Sequence, residues 1–129
     1  VPGEPGKEEK LILIADNDKP APRLYKFPGG RARPEESAEI ALFREIIEEV
    51  GINVDKNLTE VARIYKKDHE VIFFHSKYYS GEIKPGREVA EVLLLTPSEI
   101  QKMIEEGKVL RNHAEGFKRF MDMKVAASR

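Results

Sequence analysis

Three carboxylates carry the first chemical signal in this 129-residue sequence: Glu45, Glu48 and Glu49, spaced i, i+3 and i+4. On an α-helix that spacing places them on one face, on adjacent turns. Like charges so placed repel by roughly 0.2–0.5 kcal/mol a pair. The plain reading is a solvated acidic face, with Arg44 relieving Glu48 one turn later. The flanks point elsewhere. Pro28-Gly29-Gly30 leads in, Glu36 precedes the helix and Gly51 closes it. Carboxylates on a rigid helix beside a glycine-rich loop can hold a hard divalent cation, and Mg²⁺ is usually bound by a few carboxylates plus substrate phosphates. The expected chemistry is an Mg²⁺ or Mn²⁺ site that awaits a phosphorylated ligand.

The elements that must position these groups follow from pattern. Residues 1–9 read as a turn-rich lead-in and residues 10–16 as a short buried strand. A loop over 17–22 leads to a second short strand at 23–27, which Pro28-Gly29-Gly30 breaks. Ser37 is a good N-cap and Gly51 a good stop for a helix over Ala38–Val50. Its apolar stripe is read as Ile40, Phe43, Ile47 and Val50, packed on a sheet, with the three glutamates opposite. Residues 58–67 and 70–80 are strand-like, with Asp68-His69 as the hairpin turn, and residues 91–95 form another buried strand. Thr96-Pro97-Ser98-Glu99 opens a helix that ends at Gly107. Asn112 and Glu115 have capping-box spacing for a last helix over 113–125. Interspersed strands and helices predict an α/β chain of the α+β type, one domain over 1–129, with a mixed sheet and helices against it.

Composition narrows the function classes. The chain has 22 Lys plus Arg against 23 Asp plus Glu, a net of −1, which argues against a protein that coats nucleic acid through a basic excess. With no cysteine, disulfides, thiolate metal sites and cysteine nucleophiles are excluded. The longest apolar runs, 11–15 and 92–95, fall far short of the ~20 residues that span a bilayer, and no signal-peptide pattern opens the chain, so a reducing, cytoplasmic setting is expected. Charged residues make up 35% of the chain, against roughly 25% in an average domain. Glutamate outnumbers aspartate 18 to 5, and six of those glutamates lie between Gly30 and Ile52.

In that stretch Gly30, five residues, Glu36, seven residues and Arg44-Glu45-Ile46-Ile47-Glu48-Glu49-Val50-Gly51-Ile52 resemble the Nudix box at every fixed and aliphatic position. Seven fixed identities, each at about 5–7% average usage, coincide by chance about once in 10⁸ windows or more. Tyr25-Lys26-Phe27-Pro28-Gly29-Gly30 resembles the usual lead into the box. The resemblance implies a Nudix-like α/β/α sandwich, with the box helix on one side of the sheet and the C-terminal helix on the other. It implies hydrolysis of a nucleoside diphosphate linked to another group, with Mg²⁺ or Mn²⁺ as cofactor. Glu45, Glu48 and Glu49 would then be metal ligands, Arg44 would orient them, Glu36 would support the loop, and Gly30 and Gly51 would serve backbone geometry. Members often recruit a further acid from outside the box. Glu88 and Glu91 are the best placed to be that base or ligand, ahead of Glu70 and Glu82.

Substrate contacts are thinner. The Pro-Gly-Gly entry is common in MutT-like nucleoside triphosphate pyrophosphohydrolases, whereas the downstream proline of ADP-ribose pyrophosphatases and the extended NADH-pyrophosphatase signature are missing. Tyr65 lies near, but not at, the spacing of diadenosine polyphosphate hydrolases. Arg23, Tyr25, Lys26, Arg63 and Phe74 could meet phosphate or stack on a base. Asn112 is placed where a base-reading asparagine can sit, although a cap explains it more simply. The expected partner is a small nucleotide, with no membrane. Two rivals stand beside this: removal of pyrophosphate from RNA 5′ ends, served by a patch of Lys108, Arg111, Lys118 and Arg119, and a nucleotide-binding regulatory module without turnover. The family usually has a strand ahead of residues 10–16. Either the chain starts inside a hairpin, or the sheet lacks that strand and offers an edge that a second subunit could cover as a homodimer.

Overall fold

The computed structural model describes residues 9–18, 20–66 and 68–127; of the lead-in expected over residues 1–9, all but Glu9 lies outside them. Strand β1 (Leu11–Asp16) pairs antiparallel with β6 (Val89–Leu95), Leu11 opposite Leu95 and Ile14 opposite Val92. Successive side chains of a strand point to opposite faces, and β1 uses this to join two cores. Leu13, fully buried, packs with Ile100, Val109, Phe117 and Phe120. Ile14, also fully buried, packs with Ile46, Val50, Ile52 and Val89. Helix α1 (Ala38–Val50) therefore covers one face, and α2 (Pro97–Glu105) and α3 (Arg111–Ala127) cover the other. Burying each such aliphatic side chain stabilises the fold by roughly 1.5–3 kcal/mol. This is the layered arrangement the sequence predicts.

The sheet is more divided than expected. Three two-stranded antiparallel ladders form: β1 with β6, β2 (Asn53–Val54) with β5 (Tyr79–Ser80), and β3 (Thr59–Tyr65) with β4 (Glu70–His75). The stretch 23–27 supplies isolated bridges rather than a strand, Lys26 antiparallel to Ile14 and Tyr25 parallel to Val109. Among the described residues, nothing beyond the Lys26 bridge pairs with the side of β1 away from β6. A cavity of about 740 Å³ lies along it, walled by Leu11, Ile12, Leu42, Phe73 and Phe117 among others.

Four local readings change. The run 70–80 splits because the chain changes partner: Asp55 N–H bonds Tyr78 O at 2.9 Å, and Ser76 Oγ donates to Tyr78 O at 3.2 Å. The hairpin closes one residue earlier than read, with Lys66 N–H on His69 O at 2.7 Å. Helix α3 starts at Arg111, and Leu110 O takes its first bond from Ala114 N–H at 2.9 Å, so Asn112 lies inside the first turn and is not a cap. Helix α1 buries Ala41, Ile46 and Val50, while Ile40 and Ile47 are 55% and 49% exposed. The predicted stripe is therefore half right: Val50 is buried and Phe43 partly so, but Ile40 and Ile47 face solvent, and Ala41 and Ile46 take their place on the inward face, while the Gly29 amide draws Glu49 partly inward. Helix α2 forms as read: Thr96 caps it, with Glu99 N–H on Thr96 Oγ1 at 3.3 Å and Thr96 N–H on Glu99 Oε1 at 2.8 Å. Among the described residues, no helix is long and apolar enough to cross a membrane.

Candidate active site

Helix α1 is fixed at both ends. Ser37 Oγ accepts from Ile40 N–H at 3.2 Å, and Gly51, at φ +79°, turns out of the helix with its N–H on the carbonyls of Ile46 and Ile47. Only glycine adopts that φ without strain. Beyond it, Lys84 N–H and Gly86 N–H bond the carbonyls of Val50 and Glu49 at 2.8 and 2.9 Å. A Cβ on Gly86 would lie 1.9 Å from Glu48 O, so this segment can approach the helix end only as glycine.

Arg44 organises the acidic face. Its Nε and Nη2 donate to the two oxygens of Glu36 at 2.7 and 2.9 Å, a bidentate pair, and Nη1 donates to Glu45 Oε1 at 2.8 Å and more weakly to Glu48 Oε2 at 3.4 Å. Nη2 also reaches Arg31 O at 3.3 Å, which ties the loop to the helix. Glu36 Oε1 accepts in addition from Arg33 N–H at 2.8 Å. The Arg44 guanidinium and then that backbone amide hold the Glu36 carboxyl at a pKa of about 2, and Glu36 and Glu45 push Arg44 further up.

Glu49 is the odd member of the set. It lies half-buried on the inward flank, and Gly29 N–H donates to its Oε1 at 2.7 Å. Burial, with the neighbouring charges of Glu45 and Asp16, raises its carboxyl to about 7, against the pull of the Gly29 amide and Lys26. Next to it, a Cβ on Gly30 would lie 2.6 Å from the Glu45 carboxyl carbon, so the loop backbone closes directly onto that carboxylate.

This donor set is all carboxylate oxygen, the ligand type that hard divalent cations select, and Gly30 leaves it open to the loop. Arg44 Nη1 holds Glu45 and Glu48 while the Gly29 amide holds Glu49, and among the described residues no three His, Asp or Glu side chains converge on one point. Glu48, 53% exposed and held by two long contacts from Arg44 Nη1 at 3.4 and 3.5 Å, is the one with room to turn.

The other expected residues divide. Glu91 accepts a hydrogen bond from Tyr25 OH, which raises the Tyr25 pKa, and Arg23 opposes that rise. Glu88 is exposed and its carbonyl takes Asn17 N–H at 2.9 Å. Lys26 pairs with Asp16 at 2.8 Å beside Glu49. Phe74 lines the cavity. Glu82 is exposed and 3.8 Å from Lys84. Arg63 is held by Glu60 at 2.8 Å and Glu70 at 2.9 Å on the surface of β3, and exposed Tyr65 ends that strand. Asn112 faces a separate groove with Gln101 and Lys118. In the basic patch, Lys108 and Arg119 are paired with Glu106 and Glu115.

Sequence reading missed Asp16, Gly86 and His113. His113 lines the cavity that Asn112 does not. Its signal was the spacing 113, 116, 117, 120, the inward stripe of α3 that carries buried Gly116, Phe117 and Phe120.

A NUDIX domain profile matches residues 4–118, and the chain belongs to that family. It is 32% identical over 98 residues to a Bacillus subtilis (strain 168) protein named "Putative 8-oxo-dGTP diphosphatase", a match that covers 73% of this chain and 62% of that one. It is also 32% identical over 81 residues to the NAD-capped RNA hydrolase NudC of Stutzerimonas stutzeri (strain A1501), covering 62% of this chain and 29% of that one. The chain thus spans less than two thirds of either relative. Its fold resembles the solution structure of the E. coli ORF135 protein, with a TM-score of 0.76 at 22% identity over 93% of this chain and 85% of that one.

Proposed function

We propose that this chain hydrolyses a phosphoric anhydride bond in a small nucleotide, such as a nucleoside triphosphate, with Mg²⁺ or Mn²⁺ bound at Glu45, Glu48 and Glu49. The observation that carries this is the closure of Gly30 over the Glu45 carboxylate on a helix whose other acids Arg44 keeps in order. A bound divalent ion supplies charge neutralisation at the phosphate oxygens and a more acidic water. The chain's own groups do the rest. Arg44, itself braced by Glu36, orients Glu45 and Glu48, Gly29 fixes Glu49, and a carboxylate among Glu45, Glu48, Glu49, Glu88 and Glu91 takes the proton of the attacking water. Lys26 offers positive charge beside Glu49 for substrate phosphate. A cytoplasmic setting and a homodimer formed on the side of β1 away from β6 complete this reading, and a strictly monomeric scattering profile at high concentration would exclude the homodimer.

Purified protein assayed with Mg²⁺ or Mn²⁺ against nucleotides and dinucleotides should release a phosphate product; none from any substrate defeats the proposal. The NudC relatives favour a second reading, a capped RNA 5′ end. Half of the basic patch is already paired, which weighs for the small nucleotide. Steeply salt-dependent RNA binding with faster turnover of capped RNA would reverse that choice. Binding without any turnover would favour the regulatory module.

A further inference from the structure

Strands β1 and β4 border the same cavity without pairing. In β1, both the N–H and the C=O of Ile14 bond Lys26, at 2.8 and 2.9 Å, on the side away from β6. Alternate residues of a strand point their backbone groups the same way, so those of Ile12 point to that side as well. In β4, the hairpin bond from Lys66 N–H to His69 O sets the alternation, which directs the backbone groups of Glu70, Ile72 and Phe74 away from β3. Among the described residues, the backbone groups of Ile12, Glu70, Ile72 and Phe74 have no backbone partner on these sides. Glu9, which leads into β1, meets His75, which ends β4, at 2.7 Å, and at the other end Arg31 meets His69 at 3.0 Å. The two strands thus run in opposite directions along one gap.

The middle of the gap is apolar and its ends are polar. Leu42 and Ile46 of α1 wall one side, and Phe117 and Phe120 of α3 the other. Glu9, Lys10, His75 and Lys77 gather at one end, Arg31 and His69 at the other, and His113 on the α3 wall is tied to Phe27 N–H at 3.0 Å. Strand β4 carries Val71, Ile72, Phe73 and Phe74 in succession, yet none of its six residues is fully buried. Leu11 and Ile12 of β1 are likewise only part-buried. A strand laid between them would have both faces covered, so it needs apolar side chains at successive positions. Glu9 is already paired with His75 and Lys124, whereas Lys10 and Lys77 have no ion-pair partner among the described residues. That end favours an acidic group.

We propose that the gap between β1 and β4 is a docking slot for an extended peptide segment of a partner polypeptide, apolar over about five to six residues and acidic at the end beside Lys10 and Lys77. The segment adds a strand, bonded to Ile12 on one side and to Ile72 on the other, and main-chain bonds of this kind give affinity while the side-chain pockets give specificity. Because β1 and β4 are opposed, it lies parallel to one and antiparallel to the other, and the two ladders join in one mixed sheet. Its occupant must be free of partners on both edges and of covering layers on both faces. A peptide meets that demand and a strand of a folded second copy does not, so a bound peptide would displace the homodimer proposed above. Residues 1–8 suit the slot poorly, since they hold two prolines and Val1 is their one aliphatic side chain.

The test uses the full chain and fluorescent peptides of alternating valine and isoleucine, with two glutamates at the start in one and at the end in another. At least one should bind, and the amides of Ile12 and Ile72 should then exchange with solvent about tenfold more slowly or less. Methylating alternate backbone nitrogens of that peptide should weaken it about tenfold, as expected for lost main-chain hydrogen bonds. The double variant Lys10→Glu, Lys77→Glu changes only the rim, should fold as wild type, and should bind the same peptide about 2- to 5-fold more weakly. Lysines in place of the peptide's glutamates should reverse that order. No binding, or binding that leaves the Ile12 and Ile72 amides unprotected or ignores methylation, overturns the slot. Protection that rises with protein concentration in the absence of peptide would make a second copy the occupant, and protection already complete in dilute protein would make it the chain's own lead-in; either overturns the peptide. No readout here depends on turnover, so the hydrolase reading is tested separately.

Discussion

The carboxylate face of α1 and the aromatic end of the cavity are built by opposite means. At the first, Arg44 cross-links Glu36, Glu45 and Glu48 within a span of 13 residues, through charge-assisted bonds. At the second, Phe27, Phe73 and His113 meet from three distant parts of the chain, joined by ring packing and a single hydrogen bond across 86 residues. The loop from Phe27 to Gly30 belongs to both. The difference teaches that one end is specified by spacing and withstands exposure, while the other exists only once the layers have closed over it.

The largest effect should come from the charged end. Glu48→Gln should lower hydrolysis by about 10²–10³-fold with an unchanged melting temperature, because its side chain is exposed and loosely held. A fully active variant would remove Glu48 from the chemistry.

Acid titration with a chelator present should separate the two ends. His113, depressed to about 4, contributes stability that is complete above its unfolded value of about 6.5 and lost as pH falls from there to 4. Glu49, raised to about 7, contributes in the opposite sense: its share is complete below about 4.5 and lost as pH rises through 7. His113 is worth up to about 3 kcal/mol, at about 1.4 kcal/mol for every pH unit by which the pKa has moved, and Glu49 less, because solvent screens its partly exposed carboxylate. In wild type the two should largely cancel between pH 4.5 and 6.5. Denaturant melts of His113→Gln should show stability rising as pH falls through that window, and those of Glu49→Gln should show it falling. Parallel curves for the two variants would contradict the assignment. Glu36 adds a separate loss below pH 4.5, as the pH falls towards 2.

Gly30→Ala tests the boundary between the ends. The new methyl meets the Glu45 carboxylate, which must leave the 2.8 Å contact with Arg44. Activity should fall about tenfold, with little change in melting temperature because only a side-chain terminus has to move. The smallest effect belongs to Asn112→Ala. Not a cap, and outside the large cavity, it should leave stability within about 0.5 kcal/mol in denaturant melts and hydrolysis unaltered.

The same contrast explains what could be read from the sequence. Ser37, Glu36, Arg44 and Gly51 were legible because each acts on a neighbour within one or two turns. The layers were legible too, since adjacent Leu13 and Ile14 must face opposite ways. The inward face of α1 was legible only in part: Val50 of the predicted stripe is buried, but periodicity also favoured Ile40 and Ile47, which face solvent where Ala41 and Ile46 are buried instead. Asn112 and His113 differ by one position, about 100° around a helix, and the choice between them depended on where α3 begins. Arg63 looked available for phosphate, but its pairing with Glu70 arises from a strand partner that composition cannot show.

The bonds from Lys84 and Gly86 to the end of α1 give that helix a splint made from a distant loop. Glu88 leaves the splint only two residues after Gly86, so its reach towards the acidic face is set by a tether of fixed length anchored to the helix itself. Lengthening the chain between 86 and 88 would move Glu88 and spare α1, whereas lengthening it before 84 would loosen the helix end and spare the tether. Loop length thus becomes a dial on the distance between two carboxylates, independent of any change in the carboxylates themselves.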